Sequence, residues 1–134
     1  MGKKRKDQDP PLAIEKWGWK YHHMGIPTTT PVSNERYIPH LKMYEAGFES
    51  SPFGIEWMRF EEDASVSELV RTLPHIAFEV EDLDKALQDG SFEILSPPKV
   101  PSQGVRVAMI KHNGAPVELI EFNRKGNKNS WLTI

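Results

Sequence analysis

The chain has 134 residues, hydrophobic residues at 38% and a formal net charge of −2. This is enough apolar material for one folded domain or two small fused units, and it is not the composition of a disordered protein. The near-neutral balance excludes a global pull toward nucleic acid or anionic membrane. The lack of cysteine excludes disulfides, thiol catalysis and cysteine-ligated zinc, leaving histidines and carboxylates as metal ligands.

Residues 1–16 read as a disordered tail, with Lys3-Lys4-Arg5-Lys6 followed by Pro10-Pro11. The basic run reads as solvated chain, with a nuclear address or an anion-binding arm as the alternative. No apolar segment follows it, as a secretory signal would need. Gly2 lacks the Ser or Thr that a myristoylation site carries downstream. No apolar run approaches the roughly 18 residues of a membrane span. The expectation is a cytoplasmic protein without nucleic-acid or membrane partners.

Residues 21–28 are expected to form a strand. Pro31 and Pro39 limit any helix over 31–39 to a short piece. Residues 42–46 and 55–60 read as strands, and 61–70 as a linker between two halves. Residues 73–80 alternate, with Ile76, Phe78 and Val80 on one face and His75, Ala77 and Glu79 on the other, which marks a strand with two distinct faces. Asp82 then reads as a helix N-cap before Leu83-Asp84-Lys85-Ala86-Leu87, with Gly90 as the stop. Residues 92–95 form a short strand, and Pro97, Pro98 and Pro101 a stiff connection. Residues 105–111 and 117–122 are strands joined by the hairpin signal Asn113-Gly114. The polar segment 124–134 reads as a C-terminal extension that Trp131 and Leu132 dock onto the body. The second half therefore runs strand, helix, strand, strand, strand.

A pattern repeats across the halves. Ile55-Glu56-Trp57-Met58-Arg59-Phe60 and Val117-Glu118-Leu119-Ile120-Glu121-Phe122 share the form aliphatic, Glu, bulky, bulky, charged, Phe. Each is preceded by a His with a small residue two positions on: His23-Met24-Gly25 and His75-Ile76-Ala77. The order His, Glu, His, Glu suggests one metal site shared by a duplicated fold. From His to Glu the first half spans 33 residues and the second 43, so the first lacks about one strand and its turn. Alternation puts His23 on a face with Tyr21, Gly25 and Pro27, while His22 points to the other face. Gly25 and Ala77 leave room beside the imidazoles. Glu56 lies on a face with Met58 and Phe60, and Glu118 with Ile120 and Phe122. A carboxylate on an apolar face is costly unless paired or metal-bound.

These segments, with Pro74 to Ala86 and Gly114 to Phe122, resemble the vicinal oxygen chelate superfamily, which includes glyoxalase I, methylmalonyl-CoA epimerase, extradiol dioxygenases and bleomycin-resistance proteins. The resemblance covers about residues 19 to 123. It implies an α+β fold of paired βαβββ modules, whose strands form a curved mixed sheet around a central cavity. The domain is expected over 17–123, with an abbreviated first module at 19–62 and a second at 73–123. The resemblance maps a His/Glu/His/Glu ligand set onto His23, Glu56, His75 and Glu118, which suits divalent nickel, cobalt, manganese or zinc better than iron. It implies that Glu118 and Glu56 act as ligand and proton shuttle, in either assignment. The proline-broken stretch 30–40 replaces the usual first-module helix and argues against glutathione recognition.

The function expected is a metal-dependent lyase, isomerase or epimerase acting on a small oxygen-rich carbonyl compound by enolate-type proton transfer. The alternatives are a metal-free binding protein of the bleomycin-resistance type and an iron-dependent extradiol dioxygenase. Arg36, Arg59 and Arg106 are candidates for an acidic substrate, Arg59 being weakened because it faces away from Glu56. Tyr44 is a candidate cavity residue, as are Tyr21, Tyr37 and Trp57. Related proteins often dimerise, so a homodimer is expected.

Overall fold

The structure, a computed structural model, describes residues 4–124. The expected docking of Trp131 and Leu132 lies outside the described residues. Helix α1 (Leu12–Trp17) leads into strand β1 (Lys20–Pro27), followed by β2 (Arg36–Ile38), a 3₁₀ turn (Pro39–Leu41), β3 (Met43–Ala46) and β4 (Ile55–Phe60). Helix α2 (Glu68–Thr72) bridges to β5 (His75–Glu79), α3 (Leu83–Gly90), β6 (Glu93–Ser102), β7 (Val105–His112) and β8 (Ala115–Phe122).

The eight strands form one sheet in the order β2-β3-β4-β1-β5-β8-β7-β6. Within each half, the first strand pairs in parallel with the last, β1 with β4 and β5 with β8. The halves meet where β1 runs antiparallel to β5. The second half is a complete βαβββ unit. The first has all four strands, so its shortfall is the crossover helix and not a strand. The backbone from Thr28 to Glu35 makes that crossover without a helix, as Pro31 dictates.

The helix side of the second half holds the main core. Phe78, Val80, Leu83, Ala86, Ala108, Ile110 and Leu119 pack with Trp19. Helix α3 is pinned at its start twice: Asp82 accepts from the Lys85 backbone N–H at 3.0 Å, and the buried Glu121 carboxylate from that of Leu83 at 2.8 Å. Its end differs from expectation. Ser91, not Gly90, takes the left-handed conformation (φ 50°). Gly90 is required by space instead, since a Cβ there would lie 1.9 Å from the Phe92 ring.

Two further expectations are corrected. In place of a short strand and a stiff connection there is a single long strand, β6 (Glu93–Ser102), with three shifts of register against β7. Pro97, Pro98 and Pro101 are tolerated because β6 is a sheet edge and need not donate to a second neighbour. The last part of the expected tail is helix α1, whose Ala13 and Ile14 pack against the core cluster. It stops at Gly18 (φ 70°), which turns the chain so that Trp17 meets Trp19 at 4.8 Å and Phe92 at 5.5 Å. Asn113-Gly114 makes the β7–β8 turn with both residues at positive φ, as expected.

The sheet curls into a half-barrel, bringing its two edges toward each other. A cavity of about 390 Å³ lies between them, lined by Arg36, Ile38 and His40 from one edge and by Pro101 and Ser102 from the other. Among the described residues no helix is long and apolar enough to cross a membrane.

Candidate metal centre

The four repeated His and Glu positions meet at the seam of the sheet, and register explains how. Across β4, β1 and β5, Glu56 is opposite Gly25 and Gly25 is opposite His75. Across β1, β5 and β8, His23 is opposite Ala77 and Ala77 is opposite Glu118. Each row is thus a carboxylate and an imidazole separated by a small residue, the two rows running in opposite senses. Residues directly opposite across strands share a face, so all four side chains converge on the concave side. The central position has to be small. A Cβ on Gly25 would lie 2.3 Å from Cε1 of His75.

Glu118 is the hub. Its Oε1 lies 3.0 Å from Nε2 of His75 and 3.3 Å from Nε2 of His23. His23 Nε2 is also 3.5 Å from Oε1 of Glu56. Both histidines are buried, and their rings sit 5.5 Å apart at 81°. His23, His75 and Glu118 each offer a ligand atom within 4.8 Å of the others. Two imidazole nitrogens and a carboxylate oxygen converging in a buried spot suit a first-row divalent ion. Glu56 stands outside this group of three, next to His23.

The two carboxylates differ electrostatically. Burial pushes Glu118 upward, but hydrogen bonds from His23 and His75 reverse this and bring it to about 2. Glu56 is raised, by burial first and then by the negative charges of Glu45 and Glu118, against the lowering effect of His23 and His75. Burial disfavours protonation of His23, yet its hydrogen bond with Glu118 and the charges of both carboxylates raise it overall. His22 is lowered, by burial and then by His23.

Two face assignments made from alternation fail at one place. Tyr21 pairs with Phe78 while His23 pairs with the adjacent Ala77, so His22 is an extra residue in β1, a β-bulge. Tyr21 therefore falls on the helix side with Phe78. His22 falls beside His23, with ring centroids 5.0 Å apart, and its ring packs at 5.3 Å on both Phe48 and Phe122.

Of the residues expected to bind substrate, Arg36 alone is on the concave face, where it pairs with Glu45 at 3.3 Å. Arg106 is opposite Glu121 and binds Asp84 of α3 at 3.0 Å, so it faces the helix layer. Tyr44 is opposite Arg59 on the outer face of the first half. There it stacks 4.8 Å from Tyr37 and lies 4.0 Å beneath the Arg59 guanidinium, which also pairs with Glu35. This stack and the half-exposed Trp57 occupy the face left without a crossover helix.

Sequence reasoning missed Glu45, buried on the concave face opposite Met58. The test that found Glu56, an acid alternating with apolar residues, finds it between Met43 and the rest of β3. Phe48 was missed too, and no local pattern marks a loop residue that folds over two imidazoles 32 degrees and 84 degrees to its own plane.

No protein-family model and no curated protein matches the chain. Solved structures do. The hypothetical protein BH1468 from Bacillus halodurans C-125 superposes with a TM-score of 0.59 at 19% identity, covering 78% of this chain and 94% of that one. Methylmalonyl-CoA epimerase from Mycobacterium tuberculosis is matched at a TM-score of 0.44 and 19% identity, over 82% of this chain and 75% of that one. A glyoxalase family protein from Enterococcus faecalis is matched at 0.32 and 18%, over 82% and 83%. Sequence identities this low speak to fold alone. The topology above, two βαβββ-type units paired through their first strands in a curled mixed sheet, is a glyoxalase-like α+β fold.

Proposed function

We propose that the chain is a metal-dependent lyase, isomerase or epimerase that moves a proton on a small carbonyl compound, with the ion held by His23, His75 and Glu118. The observation that carries this reading is the convergence of those three donors within 4.8 Å on the concave face. A divalent ion there supplies Lewis acidity to a carbonyl and acidifies the neighbouring C–H. Glu118, whose Oε1 lies nearest to Nε2 of both histidines, serves as the carboxylate ligand. Glu56 is the proton carrier. It lies against the same imidazole, and its raised affinity for protons brings it nearer the neutral range in which a base can take a proton and return it. Arg36 at the bowl's edge is the cation for an acidic substrate group. This proton-transfer reading names nickel, cobalt, manganese or zinc as the ion.

The same geometry favours a second reading. Two His and one carboxylate is also the ligand set of ferrous oxygenases, and a ring-cleaving dioxygenase would leave Glu56 unbound. Oxygen uptake by the iron-loaded protein on catechols separates this from proton transfer.

The decisive measurement is metal content after loading, beside a His75→Ala/Glu118→Ala variant. Near-stoichiometric metal, lost in the variant, supports the site. No metal in either protein overturns it and turns the reading to a metal-free binding module. The cytoplasm is the compartment we propose, as expected from the sequence. The proposed homodimer is supported by the uncovered aromatic face of the first half, where Trp57 is 39% exposed; light scattering tests it.

A further inference from the structure

We propose that His22 is a positioning residue for the metal centre: its Nδ1 accepts the Nδ1 proton of His23, and so keeps the Nε2 lone pair of His23 turned to the ion. The inference rests on the metal reading above.

The two Nδ1 atoms are 2.7 Å apart. Two imidazoles approach this closely only when one nitrogen carries the proton and the other a lone pair. Nε2 of His23 is the nitrogen that faces the site, 3.3 Å from Glu118 and 3.5 Å from Glu56. A ligating Nε2 must be unprotonated, so the ring proton sits on Nδ1 and His22 is the acceptor. A histidine ligand ordinarily donates its other N–H to a fixed acceptor, which orients the ring and strengthens it as a donor. Here a neighbouring imidazole takes that part, and the β-bulge puts it within reach. Phe48 and Phe122 hold its ring in place. The arrangement belongs to one half only. Nδ1 of His75 is buried and has no hydrogen-bond partner among the described residues, so the site has one backed and one unbacked imidazole. His22 itself is not a ligand in this assignment: its Nδ1 is engaged by His23, and it stands outside the group of three converging donors.

The test compares zinc affinity, by competition with a chromogenic chelator, in the wild-type chain, His22→Leu and His22→Gln. Imidazole ¹⁵N NMR of the zinc-loaded proteins reads which nitrogen of each histidine is ligated. His22→Leu is expected to weaken zinc by about 10–100-fold. His22→Gln, whose side-chain oxygen can still accept, is expected to recover most of it. In the wild type, His23 should show a ligated Nε2 and a protonated Nδ1, and His22 no ligation. Leu affinity within about twofold of wild type, Gln as weak as Leu, or ligation of His22 overturns the inference. If the Leu variant fails to fold, the Gln variant and the wild-type spectrum decide. Wild-type zinc binding that is absent, or indifferent to His75→Ala, sinks the metal reading and this inference together. Tight, His75-dependent binding that ignores His22 sinks this inference alone.

Discussion

Gly25 leaves its side-chain space to the His75 ring, and the pseudo-equivalent Ala77 leaves room between His23 and Glu118. The two positions are not interchangeable. Gly25→Ala forces the imidazole away from Glu118 and should weaken zinc by on the order of tenfold or more. Ala77→Gly opens space and should leave affinity nearly unchanged at a small cost in melting temperature. Chelator competition and thermal unfolding check both. Glu118 also sets an acid limit on the metal-free protein. Its folded value, about 2, is below the ordinary 4.5. A depressed carboxylate contributes stability that is full above 4.5 and lost as pH falls toward 2. Glu118→Gln should therefore flatten the acid limb of stability measured by denaturant titration between those values. The donors that converge at the seam, His23, His75 and Glu118, were legible at this scale, because an acid or imidazole on an apolar strand face is conspicuous. Where His22 and Tyr21 point was not, since a bulge changes alternation without any residue of its own to announce it.

Helix α3 is held at its start by two single contacts, from Asp82 and Glu121. Loss of the Asp82 cap by Asp82→Ala should cost about 1 kcal/mol. Glu121→Ala should cost more, about 1–3 kcal/mol, because it strands the buried Leu83 N–H and removes a partner of Arg106. Urea unfolding monitored by tryptophan fluorescence would read both. The helix itself was legible from Asp82 and the apolar spacing after it. Strand β2 was not, since three residues between prolines carry no period. Nor was the full length of β6, because three prolines argue against a strand until its place at the sheet edge is known.

At the scale of the molecule, helix α1 joins the N-terminal segment to the core of the second half, although it directly precedes the first. Deleting residues 1–10 should leave the melting temperature unchanged. Deleting 1–17 uncovers the cluster around Trp19 and should cost on the order of 1–2 kcal/mol. Differential scanning calorimetry separates the two outcomes, and an equal loss for both deletions would refute the packing role. The absent crossover helix has the converse effect, leaving the first half to close its outer face with the Tyr37, Tyr44 and Arg59 stack.

The sequence by itself determined the duplication, the order His, Glu, His, Glu, the capped second-half helix and the hairpin turn. These rest on local chemistry and on repeats, which a single chain displays directly. Only the tertiary structure decided the seam between β1 and β5, the bulge at His22, the outward placement of Arg106 and Tyr44, and the difference between Glu118 and Glu56. The reason is physical. Register across strands distant in the chain sets which side chains meet, and burial together with the neighbours so acquired sets their affinity for protons.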